Sequence, residues 1–182
     1  MDDVAKHLGM SKKTIYDFFS DKEDLVNQVL IHEHEHDCAF LNAINGRKLN
    51  AVEELFEVYK MINTMFKEYN PSMMFDVRKY YPDLFTKIRS IRRIKMYDSV
   101  FNNLNKGKEE GIYRMDMDSV IIAKLHVIRT ESFFDNDIFT QDEMTSFKLF
   151  HEVFVYHLYG ILNQEGRTFF EANFNKFKAS LS

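Results

Sequence analysis

The stretch HEHEH, His32 to His36, sets two histidines four residues apart with a glutamate after the first, the H-E-x-x-H pattern of zinc peptidases. On a helix His32 and His36 lie one turn apart on the same face, where both imidazoles can ligate zinc and Glu33 can act as general base. His34 projects about 160° away from them, so a third ligand has to come from elsewhere. Glu53, Glu54 and Glu57 are the nearest downstream acids. A solvated helix face with titrating histidines explains the run more simply, because a five-residue pattern in a His/Glu-rich segment arises readily by chance. The single cysteine, Cys38, has no partner at metal-binding spacing and reads as a buried apolar side chain.

A second group of residues has the chemistry of phosphate and base contacts. Lys12, Lys13, Thr14 and Tyr16 crowd the start of a short segment opened by Ser11, whose hydroxyl suits a helix N-cap. Lysine pairs with phosphates or with guanine O6 and N7, threonine reaches a phosphate or a base edge, and a tyrosine hydroxyl suits a phosphate. Lys22 stands at the start of the next helix, for which Ser20 and Glu23 form an S-x-x-E capping box. Free N–H groups at such a helix start attract phosphate. Residues 1–30 nevertheless carry four lysines against six acids, a local charge of −2, so sequence-independent attraction from this stretch alone is weak.

A pair of crossing helices would position these side chains. A helix-turn-helix wants a small residue at the crossing, a residue tolerant of positive φ in the turn, and a branched apolar anchor on the second helix. Ala5, Gly9 and Ile15 fill those places, and Val4, Leu8, Met10 and Phe18 are the expected further buried contacts. Apolar residues recur at helical spacing through the rest of the chain, and the pattern predicts helices over 2–8, 11–18, 21–44, 49–69, 72–80, 83–108, 117–134, 141–163 and 166–180. With two prolines and six glycines in 182 residues there are few of the breakers that a many-stranded fold needs, so the expected class is all-α. The expected division is a helix-turn-helix part over 1–20 and a helical bundle over 21–182. No apolar run approaches the ~18 residues of a membrane span. One cysteine and no apolar leader point to the cytoplasm. A net charge of −4 excludes a protein that coats nucleic acid over its whole surface.

The stretch MDDVAKHLGMSKKTIYDFFSDKEDLV resembles the second, third and opening fourth helices of the TetR (tetracycline repressor) family of transcriptional regulators, on the pattern Gly9, Ser11, Lys12, Thr14, Tyr16, Phe19, Lys22, Glu23 and Leu25. The resemblance implies a homodimer that occupies near-palindromic operator DNA and lets go when a small-molecule effector enters the helical domain. It implies no enzymatic step, no cofactor and no bound metal. It also implies a further helix ahead of Val4, so Met1 is expected to open an incomplete DNA-binding part.

Three expectations concern the helical domain. The helices near 117–134 and 141–163 are apolar on more than one face and are expected to pair with those of a second copy in a four-helix bundle. An effector pocket is expected around Tyr59, Met65, Phe66, Tyr97, His126, Arg129 and Phe154. His126 and Arg129 matter most there, as polar groups on a helix expected to be largely buried. Residues 78–108 hold nine basic residues against two acids, either a solvated face or an attraction for an anionic ligand or flanking DNA.

Overall fold

The computed structural model describes residues 1–68, 71–132, 138–144 and 146–179, and every regular element among them is a helix. Two short helices, α1 (Asp2–Leu8) and α2 (Lys12–Tyr16), pack chiefly on each other. Gly9 closes α1 at φ 64, a left-handed conformation that its missing Cβ makes available. The Ser11 hydroxyl accepts the Thr14 N–H at 3.0 Å and opens α2. Only Ala5 and Ile15 are buried in this unit. Leu8, Met10 and Phe18, expected inside, are 55, 43 and 74% exposed. Two short helices cover only the stripe where they cross, and these three side chains lie off that stripe.

α3 (Lys22–Asn45) follows. Its cap lies one residue later than the expected Ser20/Glu23 box: the Asp21 carboxylate accepts the Asp24 N–H at 2.8 Å, and the Asp24 carboxylate accepts the Ser20 N–H at 2.9 Å. A carboxylate outcompetes a hydroxyl for N–H groups at the positive end of a helix. α4 (Ala51–Glu68), α5 (Pro71–Tyr80) and α6 (Pro82–Glu109) come next, and α6 is the spine of the body, packed against α3, α4, α5 and α7 (Ser119–Ser132). Leu30, Val77 and Ile88 are buried where α3, α5 and α6 meet, with Val26, Tyr81 and Phe85 against them. α6 therefore runs beside α3 with its start near the helix-turn-helix end.

The expected 141–163 helix is divided into α8 (Gln141–Met144) and α9 (Phe147–Ile161). Ser146 is extended, and its hydroxyl accepts the Leu149 N–H at 3.2 Å as a fresh N-cap. Thr140 and Glu143 cap α8 reciprocally. α10 (Gln164–Ala179) closes the chain against α4. The main core is an aromatic cluster of α4, α9 and α10, in which Phe56 stacks on Phe177 at 4.2 Å and Tyr59 meets Phe154 at 4.5 Å.

The C-terminal end of α6 is pinned by a buried polar network. Asn103 donates to the Ala51 carbonyl at 2.9 Å and to Glu54 at 3.0 Å, Tyr113 donates to Asn103 at 3.0 Å, and Lys106 pairs with Glu54. Gly107 lets the Tyr113 ring lie flush on α6, where a Cβ would come within 2.1 Å of it.

Candidate nucleic-acid interface and effector site

The helix-turn-helix geometry sets the presentation of the expected contact residues. With Ser11 at the cap and Ile15 as the anchor, Lys12, Lys13 and Tyr16 point outward from α2, Tyr16 being 46% exposed. Thr14 is half-buried and its hydroxyl sits 2.8 Å from that of Ser11, so these two groups are already engaged in the cap. The Lys12 amine lies 2.5 Å from the Asp2 carboxylate across the two helices. Their hydrogen bond holds the Lys12 amine above its ordinary pKa and the Asp2 carboxyl below its own. Lys13 has no ion-pair partner among the described residues and is the readiest for an incoming phosphate or guanine. Lys22 is exposed at the start of α3, one residue after the Asp21 cap.

The basic residues of 78–95 begin at the same end. A shallow depression is lined by Asp21, Glu23, Asp24 and Asn27 of the α3 start and by Leu84 and Lys87 of the α6 start. Farther along, Arg93 and Arg89 turn to α7, where Arg93 meets Glu131 at 2.8 Å and Arg89 meets it at 3.4 Å.

The expected effector residues divide between the two sides of α9. On one side Tyr59 is 1% exposed, with its hydroxyl 2.7 Å from His151 Nδ1, and Phe154 packs against its ring. Burial pushes the Tyr59 hydroxyl up to about 12. On the other side Arg129 Nη2 donates to His126 Nδ1 at 3.1 Å, and the His126 ring meets that of His157 edge-on at 4.7 Å. Burial, and then the Arg129 charge, pushes the His126 imidazole down to about 4. His157 is held well below its ordinary pKa by burial, then by His126 and Arg129. Tyr97 stacks instead on Phe101 at 5.8 Å, and Met65 is 43% exposed. The side chain of Phe66 lies outside the described ones. His157 and His151 were not singled out by the sequence reading. Their placement three residues either side of Phe154 on an apolar helix was the available signal.

His32, Glu33 and His36 are exposed on α3, and no group of three or more His, Cys, Asp or Glu side chains suited to a metal ion occurs among the described residues. Of the three acids expected near the H-E-x-x-H pattern, Glu53 accepts the Asn50 N–H, Glu54 is engaged by Asn103 and Lys106, and Glu57 by Arg47 and Lys60. His34 is half-buried, its Nε2 3.4 Å from Cys38 Sγ.

A capped pair of short helices joined to a helical body is the arrangement of a helix-turn-helix followed by a helical bundle. Residues 1–29, which hold α1, α2 and the start of α3, match the family described as "Bacterial regulatory proteins, tetR family". Over the whole chain the fold is similar to that of a gamma-butyrolactone receptor (ArpA-like protein), with 12% identity, a TM-score of 0.63, and 99% of this chain and 85% of that one covered. It is also similar to the ketosteroid transcriptional regulator KstR2 of Mycobacterium tuberculosis, with 19% identity, a TM-score of 0.60, and 89% and 84% covered. A third structure, described as the molecular basis for control of antibiotic production by bacterial hormones, aligns with 17% identity, a TM-score of 0.63, and 88% and 85% covered. No curated protein matches in sequence.

Proposed function

We propose that this chain is a transcriptional regulator that reads operator DNA with α2 and is released from it by a small-molecule effector bound in its helical body. The observation that carries the reading is the presentation of Lys12, Lys13 and Tyr16 on a second helix anchored by Ile15 and capped by Ser11, in the segment that matches the tetR family. The N-terminal end of such a helix enters the major groove. Ser11, Thr14 and Lys22 complete the contact set, the first two through the cap and Lys22 through a flanking phosphate. Repression by operator occupancy is the simplest mode of action.

Two copies act together. α7 leaves Ile121, Leu125 and Ile128 exposed one turn apart, and Tyr156 is 77% exposed on α9. An apolar face of this kind on helices near the end of the body suits an isologous four-helix contact. A dimer sets its two reading helices one DNA turn apart, about 34–36 Å, and an effector that favours another separation ends binding. An effector-binding body accords with relatives titled as a gamma-butyrolactone receptor and a ketosteroid regulator. The polar groups of the site are His126 and Arg129, with Tyr59 and Phe154 on the other side of α9. No described helix is long and apolar enough to cross a membrane, and the protein works in the cytoplasm where its DNA lies.

Fluorescence anisotropy on DNA flanking the protein's own gene tests the reading. Lys13→Ala or Tyr16→Ala is expected to weaken binding by about 1–3 kcal/mol, while His32→Ala leaves it unchanged. Loss of binding in His32→Ala alone, with a zinc requirement, would favour the metal chemistry instead.

A further inference from the structure

The side of α9 that faces α7 contains a positive charge that no carboxylate among the described residues pairs with. Arg129 is half-buried, and no carboxylate lies within ion-pairing distance of it among the described residues. The nearest acid in sequence, Glu131, is committed to Arg93 and Arg89. Arg129 makes one hydrogen bond, from Nη2 to His126 Nδ1 at 3.1 Å, and its Nε–H is shielded from solvent with no acceptor. Because guanidinium only donates, His126 Nδ1 must be the acceptor, which puts the proton of that neutral ring on Nε2, a second donor. His157, 9% exposed, packs edge-on against His126 and holds it in place. The cluster is therefore built of donors around a single fixed charge. A shielded Nε–H without an acceptor carries a cost, and a carboxylate arriving at this half-buried guanidinium would relieve it.

We propose that Arg129 and His126, braced by His157, form the receiving site for the carboxylate of a small monoanionic ligand where α7 meets α9. The chemistry selects the class. One cation matches a monoanion rather than a phosphate ester of higher charge, and the planar guanidinium fork matches a carboxylate. Both imidazoles stay neutral at physiological pH, so the ligand meets one charge there and not three. This inference rests on the effector reading above and gives that effector a chemical class.

The test is calorimetric titration of the full chain with octanoate and with 1-octanol, accompanied by sedimentation velocity. The wild type is expected to bind octanoate at least tenfold more tightly than octanol. Arg129→Gln is expected to abolish that preference with the dimer intact, and Arg129→Lys, which keeps the charge without the fork, to retain a several-fold preference and to stand in should the Gln variant not fold. No preference in the wild type, or an equal preference in Arg129→Gln, overturns the proposal. So does a result in which Arg129→Gln leaves octanoate binding alone and dissociates the dimer, because the missing acceptor then belongs to the second copy. Octanoate bound as expected but without effect on DNA affinity leaves the site standing and counts against the effector reading.

Discussion

Among the tightest packing constraints in the body is an absent methyl group at Gly107. A Cβ at Gly107 would come within 2.1 Å of the Tyr113 ring, which is fully buried and donates to Asn103. Gly107→Ala is expected to destabilise the fold by about 3 kcal/mol in urea denaturation, since the ring has no room to retreat. Tyr113→Phe is expected to cost about 1–3 kcal/mol by leaving Asn103 Oδ1 without its donor. A second residue-scale prediction concerns pH. Below an ordinary value of 6.5 an unfolded His126 takes up a proton that the folded ring, at about 4, refuses. Its contribution is therefore fully present above that window and is lost as pH falls through it, by about 3 kcal/mol at most. Wild type compared with His126→Phe at pH 7 and at pH 4.5 checks this, the wild type losing more stability over the interval. Of these residues only His126 was legible in the sequence, as a polar group on an apolar helix. Gly107 and Tyr113 meet across a turn that no periodicity encodes, so their contact emerges only in the folded chain.

Helix positions were legible because spacing reports them directly, whereas helix ends were decided by which side chain wins a few backbone N–H groups. Asp21 displaced Ser20 as the cap of α3 because a carboxylate is the stronger acceptor at that end. Ser146 divided a segment whose apolar spacing runs on through 141–163, since a cap overrides periodicity over a single turn. Ser146→Ala is expected to cost about 1 kcal/mol of stability, and circular dichroism under denaturant checks it. The buried partners Leu8, Met10 and Phe18 were misplaced for a related reason: apolar character marks what a helix can bury, while the crossing angle decides what it does bury. At the same scale, α7 and α9 carry the pairing proposal. Leu125→Glu is expected to convert a dimer to a monomer in sedimentation while leaving helicity unchanged, because this side chain is 55% exposed and not part of the monomer's core.

At the scale of the whole molecule, charge is separated along the chain. The reading segment is acidic on balance over residues 1–30, and residues 78–108 are strongly basic. The start of α6 lies beside the start of α3 through Leu84 and Lys87, which brings the beginning of the basic stretch to the helix-turn-helix end of the body. Any DNA affinity should therefore be modest and steep in salt, with discrimination resting on a few contacts of α2. The arrangement of candidate contacts was legible because a helix-turn-helix is local, its cap, turn and anchor all within fifteen residues. Tyr59, Phe154, His126 and Arg129 were named from the sequence as pocket candidates, but their division between the two sides of α9 was not legible, because packing between helices far apart in sequence sets it.

The most direct measurement is selection of binding sites from a random duplex pool by the full chain at two salt concentrations. The account predicts enrichment of one two-fold-related sequence, its half-sites about 10 base pairs apart, with enrichment lost in Lys13→Ala. A pool that emerges unenriched, or enriched equally by wild type and Lys13→Ala, would contradict the claim that α2 reads DNA.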